Sequence, residues 1–183
     1  MIYPIVAYGD PVLKKRARDI NKDELDLKQL VADMYETMYQ AKGVGLAGPQ
    51  IGKNLRIFVI DGEPMEEDEL IGFKQAFINP EIEDEFGDDW TFEEGCLSIP
   101  NIRENVDRPE MLKIKYYDEN WNFHEEEYEG LKARIIQHEY DHIEGILFTD
   151  HLSGFKKRIL KGKLNNISKG KVEVDYKMRF PAR

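Results

Sequence analysis

The stretch Gln137-His138-Glu139-Tyr140-Asp141-His142 lies inside a run from Leu131 to Glu144 that Gly145 ends. The run carries apolar residues at helical spacing and a glycine at its stop, so it predicts a helix. His138 and His142 are four apart, which sets both imidazoles on one face. Two neutral imidazoles on one face can hold a single divalent metal. Glu139 sits one residue on, roughly 100° around the helix. It stands beside such a metal without ligating it, where a general base for an activated water belongs. Leu131 and Ile135 continue the same face in the preceding turns. The histidines therefore end a buried stripe, which argues against an incidental pair on a solvated helix.

Two histidines leave a metal site incomplete. One metallopeptidase pattern would place a third histidine where Phe148 stands. Another takes a downstream glutamate, but no Asp or Glu occurs between Asp150 and Glu173. His151 is too close and out of phase, and His124 precedes an acidic string and reads as a solvated strand residue. Cys96 remains, in Glu93-Glu94-Gly95-Cys96-Leu97-Ser98-Ile99-Pro100. Gly95 permits unusual backbone angles and Pro100 stops a regular ladder, so a bent strand end presents the thiol and exposed amides. A Cys/His/His set gives three ligands and leaves one position open, and a thiolate suits zinc or iron(II) over magnesium or calcium. The segment Gly43–Gly52 reads as a glycine-rich loop. It lacks the lysine and hydroxyl of a phosphate cradle. Its Gln50 is instead a neutral donor able to stabilise a developing oxyanion.

Composition sets the outer bounds. The 183 residues suit one domain, and 41% hydrophobic residues suffice for a core. A net charge of −10 argues against general nucleic-acid and specific DNA binding. One cysteine excludes an internal disulfide. No signal peptide and no membrane-spanning apolar run can be read, so the expected location is cytoplasmic.

Elsewhere, about Asp26–Ala41 predicts an amphipathic helix closed by Gly43. Arg56–Ile60 predicts a buried strand, and Asp61–Leu70 an acidic surface loop. Ala76–Glu85 predicts a strand running into an exposed edge. Met111–Tyr117 and Trp121–Glu129 alternate as strands joined by a hairpin at Asp118–Asn120. A helix near Gly154–Asn165 and a last strand near Val172–Met178 complete the chain. Strands and helices do not alternate strictly. The fold expected is α+β: short antiparallel or mixed strands around a central helix bearing the His-Glu-x-x-His pattern, in a single domain.

Three stretches resemble, in order, the signature motifs of the peptide deformylase family. They are Gly43-Val-Gly-Leu-Ala-Gly-Pro-Gln50, Glu94-Gly-Cys96-Leu-Ser98 and Gln137-His138-Glu139-Tyr-Asp141-His142. Tyr8-Gly-Asp-Pro-Val-Leu13 is similar to that family's N-terminus, and the resemblance covers roughly residues 1–150. It implies removal of the N-formyl group from formylmethionine at the start of nascent chains, with release of formate. It implies a metal on Cys96, His138 and His142, iron(II) in cells and often zinc or nickel as isolated. Glu139 would take a proton from water and pass it to the leaving amine. The Gln50 side chain and the Leu97 N–H would bind the formyl oxygen. Gly45 would pair with the substrate backbone, while Val44, Phe92, Leu131 and Ile135 would wall the methionine pocket. Glu94 would pair with Arg108, and Arg103 would lie near the downstream peptide. Asp141 receives no catalytic role. The chain departs from the family pattern in three places: Gly48 stands for the usual alanine, Glu63–Glu69 reads as a variable insertion, and the tail after Asp150 matches no simple long helix.

The competing functions are a metallopeptidase of the His-Glu-x-x-His type and a binding module with a structural metal. A closed structural site needs four protein ligands, and only three are found. Residues 1–183 are read as one catalytic domain with 151–183 as a variable basic tail. Its Lys156, Lys157, Arg158, Lys161, Lys163, Lys169 and Lys171, with no acidic residue among them, suggest contact with the ribosome.

Overall fold

The computed structural model describes residues 1–181, and the last two residues of the expected tail lie outside them. Five strands form one antiparallel sheet in the order β2 (Gly45–Ala47), β3 (Ile57–Asp61), β4 (Lys74–Cys96), β5 (Ile99–Tyr117) and β6 (Phe123–Glu129). Three helices accompany it: α1 (Leu27–Gln40), α2 (Gly130–Ile143) and α3 (Gly154–Ser168). A separate two-stranded sheet pairs β1 (Ile5–Val6) with β7 (Met178–Arg179) in parallel. The architecture is the expected single-domain α+β.

Each helix follows from its local sequence. In α1 the Asp26 carboxylate caps the Gln29 N–H at 3.1 Å, and Leu27, Leu30, Val31, Met34 and Met38 are buried. The left-handed residue ending α1 is Lys42, at φ 58°, and not Gly43 as expected. Gly43 matters for space: a Cβ there would lie 2.8 Å from Leu97 Cδ1. Helix α3 starts at Ser153, whose hydroxyl accepts from the Lys156 N–H at 3.2 Å, and buries Leu160, Leu164 and Ile167.

Helix α2 gets no side-chain cap from Glu129. Glu69 supplies one from a distant segment, its carboxylate accepting from the Leu131 N–H at 3.2 Å. A Cβ on Gly130 would meet that carboxylate at 2.6 Å. The segment Asp61–Leu70 is thus more than a surface loop. It contains two 3₁₀ turns, Glu63–Met65 and Asp68–Leu70, and Leu70 is fully buried.

The strands depart most from expectation. Two are long, with 23 residues in β4 and 19 in β5, and residues 81–85 lie inside the sheet, not at its edge. Register shifts, three of them between residues 78 and 89, interrupt the alternation that a sequence reading depends on. Much of the distal hairpin is solvated, so it reads as polar surface. The Gly43–Gly52 loop is also partly regular: β2 pairs with β3, and Gly48–Ile51 is a 3₁₀ turn. Of the expected last strand only its end is realised, as β7.

Helix α2 packs against β2, β3, β5 and β6. There the rings of Phe58 and Phe77 stack at 4.7 Å, and Phe77 meets Tyr116 at 4.3 Å. Such pairs contribute about 0.5–1.5 kcal/mol each beyond their area. A second core lies between α1 and β3, and a third joins α3 to β1 and the start of β5. Among the described residues, no helix is long and apolar enough to cross a membrane.

Candidate metal centre

The bent end of β4 brings Cys96 to the last turns of α2. One donor atom each from Cys96, His138 and His142 lies within 4.8 Å of the others. The Cys96 Sγ is 3.4 Å from His142 Nε2. His138 donates from Nδ1 to the Glu94 carboxylate at 2.8 Å, which fixes the ring and leaves Nε2 as the nitrogen a cation would take. The donor set fits a borderline-soft divalent cation with one position open. The buried Nδ1 of His142 has no partner among the described residues.

Glu139 Oε2 is likewise buried with no partner among them. Burial pushes its carboxyl up to about 7, against the opposing pull of His138. A carboxyl balanced near neutrality suits proton transfer in either direction. Its other oxygen lies over β2: a Cβ on Gly45 would sit 2.4 Å from Glu139 Oε1. Burial disfavours charge on both histidines. Cys96 and Glu94 outweigh it at His138, whose pKa stands well above the ordinary value. His142, facing His138, stands well below and is neutral, as a ligand must be. A cation at the three donors competes for the same lone pairs and would neutralise His138 too.

Glu94 anchors this corner. Burial would raise its pKa, but His138 and Arg108 hold it well below the usual carboxylate range. Arg108 grips it with two hydrogen bonds, at 2.8 and 3.0 Å, and binds Asp141 at 2.8 Å. The expected Glu94–Arg108 pair is present, and Asp141 serves it. Sequence reading missed Arg134, which binds the Glu94 carboxylate at 2.8 Å and the carbonyls of Val106 and Trp90. The signal was available: an arginine on the buried stripe of Leu131 and Ile135 needs a carboxylate partner.

Gln50 is oriented. Its Oε1 accepts from the Ala47 N–H at 3.0 Å, so its amide NH₂ faces Cys96 Sγ at 3.4 Å and Ser98 Oγ at 3.3 Å. A cavity of about 780 Å³ opens from this point. Val44, Gly45, Phe92, Leu97 and Ile135 line it, and Arg103 stands at its mouth, paired with Glu93 at 3.0 Å. Leu131 is buried in the core with Ile136 and Ile143 and is not among the residues lining the cavity. Met65 lines it from the acidic segment, which sequence reading did not foresee.

This geometry has close relatives. Residues 2–158 match the family model described as polypeptide deformylase. The chain belongs to the polypeptide deformylase family. It is 59% identical to a peptide deformylase of Cytophaga hutchinsonii over 183 residues, all of both chains. It is 58% identical to one of Christiangramia forsetii, covering 99% of this chain and 97% of that one. The solved peptide deformylase of Thermus thermophilus matches with TM-score 0.82 and 39% identity, over 93% of this chain and all of that one. The one from Thermotoga maritima matches with TM-score 0.75 and 42% identity, over 84% and 99%. Deformylases are metal-dependent hydrolases, and the Cys/His/His group is where such a metal would sit in this chain. The metallopeptidase reading is not favoured.

Proposed function

We propose that the protein removes the N-formyl group from N-formylmethionine at the start of nascent polypeptides and releases formate. The observation that carries this is the unpartnered Glu139 carboxylate oxygen beside three convergent donors. Cys96, His138 and His142 hold one divalent cation, iron(II) in cells and zinc or nickel in isolated protein. When bound, the cation acts as a Lewis acid and activates water. Glu139 takes the proton of the attacking water on its free oxygen and delivers it to the methionine nitrogen as that nitrogen leaves. Gln50 Nε2 and the Leu97 N–H donate to the formyl oxygen as charge develops on it.

Gly45 pairs with the substrate backbone as an added strand position. Val44, Phe92 and Ile135 wall the methionine side chain, with Leu131 behind them. Arg103 lies near the downstream peptide. Formyl is the smallest acyl group, so a tight site admits it and excludes ordinary peptide bonds by size. Helix α2 is the central element of this machinery. Residues 1–183 act as one catalytic domain with 151–183 as its variable basic tail. The work is cytoplasmic, where nascent chains emerge, and the exposed cations of α3 meet ribosomal RNA.

The deciding experiment is formate release from a formyl-Met peptide, with metal content measured alongside. Glu139→Ala should keep its metal and lose about 10²- to 10⁴-fold in kcat. A Glu139→Ala protein with undiminished turnover would overturn the mechanism.

A further inference from the structure

The outer wall of the cavity comes from a segment beyond the matched family span. Glu173–Tyr176 line it, whereas the family match ends at residue 158. The segment is tied at several points. The Tyr176 hydroxyl donates to the Leu97 carbonyl at 2.7 Å. Asn101 Nδ2 donates to the Glu173 carbonyl at 3.1 Å. Just past it, the Ile5 N–H donates to the Lys177 carbonyl at 2.8 Å and the β1–β7 pairing begins. The segment is thus strapped across the strand end that presents Cys96 and Leu97.

The charges at the rim are unequal. Lys42 faces Asp175 at 3.6 Å and Arg103 faces Glu93 at 3.0 Å, so these four largely cancel. Glu173 is exposed, and its carboxylate has no ion-pair partner among the described residues. A peptide that seats its first residue near the donors must leave through this mouth. Its next side chains then pass an uncompensated negative charge.

We propose that Glu173–Tyr176 form the outer wall of the subsite for the residues after the first methionine, and that Glu173 makes that subsite prefer a cationic side chain. This deepens the deformylase reading and rests on it. The favoured substrates are formylated peptides with lysine or arginine soon after methionine. An exposed charge pair gives a modest effect, roughly 2- to 5-fold in kcat/KM, that fades as salt screens it.

The test compares formyl-Met peptides carrying a single Lys or Glu at the second, third or fourth position, with formyl-Met-Ala as reference. Wild-type protein, Glu173→Gln and Glu173→Lys are each assayed at low and high salt. At one position the wild type should favour Lys over Glu about 2- to 5-fold at low salt. Glu173→Gln should abolish that ratio, and Glu173→Lys should invert it. Equal Lys/Glu ratios in all three proteins, with the reference peptide turned over, would overturn the strap's role alone. No formate from any peptide with metal-loaded wild type would overturn the deformylase reading, and this proposal with it.

Discussion

Gly45 shows how little room the site leaves. An added methyl group would lie 2.4 Å from the Glu139 carboxylate, so either that carboxylate or the β2 backbone must move. On the proposed role of Glu139, Gly45→Ala should lower kcat at least about tenfold, since small misplacements of a proton-transferring group are costly. Its melting temperature should stay near wild type, because β2 remains paired with β3. Unchanged steady-state kinetics would show that Glu139 need not stay where it is. At this scale the sequence was informative where partners are close along the chain. His138, Glu139 and His142 fall within about one helical turn, so their spacing alone pointed to the cluster the fold brings together. The clamp on Glu94 was only half legible. Arg108 is 14 residues away and was reached through the family resemblance, whereas Arg134 is 40 away and no local pattern links them.

Among the elements, α2 depends on a residue far outside it. Glu69 lies 62 residues before the Leu131 N–H it accepts from. Glu69→Ala should cost about 0.5–2 kcal/mol, the usual range for a lost cap, in chemical denaturation. Full stability would mean that water satisfies that N–H equally well. The β5–β6 turn offers a pH test. Asp118 accepts from the Asn120 and Asn122 N–H groups and from His124. Burial would raise its carboxyl, but these donors lower it below its ordinary 3.8. A lowered pKa stabilises the fold above that value, and the contribution is lost as pH falls through the lower folded value. Asp118→Asn should therefore melt below wild type at neutral pH, and the gap should close in acid. A gap that stays constant with pH would remove Asp118 from the titrating set. Helices were legible because their apolar faces repeat every turn. The β4–β5 hairpin was not, because its bulges and solvated faces hide the alternation of two.

On the scale of the whole molecule, the tail is structural as well as basic. Leu160, Leu164 and Ile167 of α3 are buried with Val6, Ile102 and Phe148. Removing residues after 151 would strip that core, so a truncation cannot test ribosome contact cleanly. Charge reversal can. Lys157→Glu with Lys161→Glu leaves the buried face intact and should reduce co-sedimentation with ribosomes at low salt. Equal sedimentation would assign those cations to solvation alone. Chain direction adds a further consequence of the β1–β7 pairing. Cys96, His138, His142, Glu139 and Gln50 all precede residue 143, whereas the strap and β7 follow residue 172. A chain growing from its N-terminus has its donors in hand while β1 still lacks its partner. The cavity therefore begins as an open trough, and its outer wall closes only after residues 173–179 have been added. Each new molecule thus holds the floor of its cavity before it has the wall that narrows it.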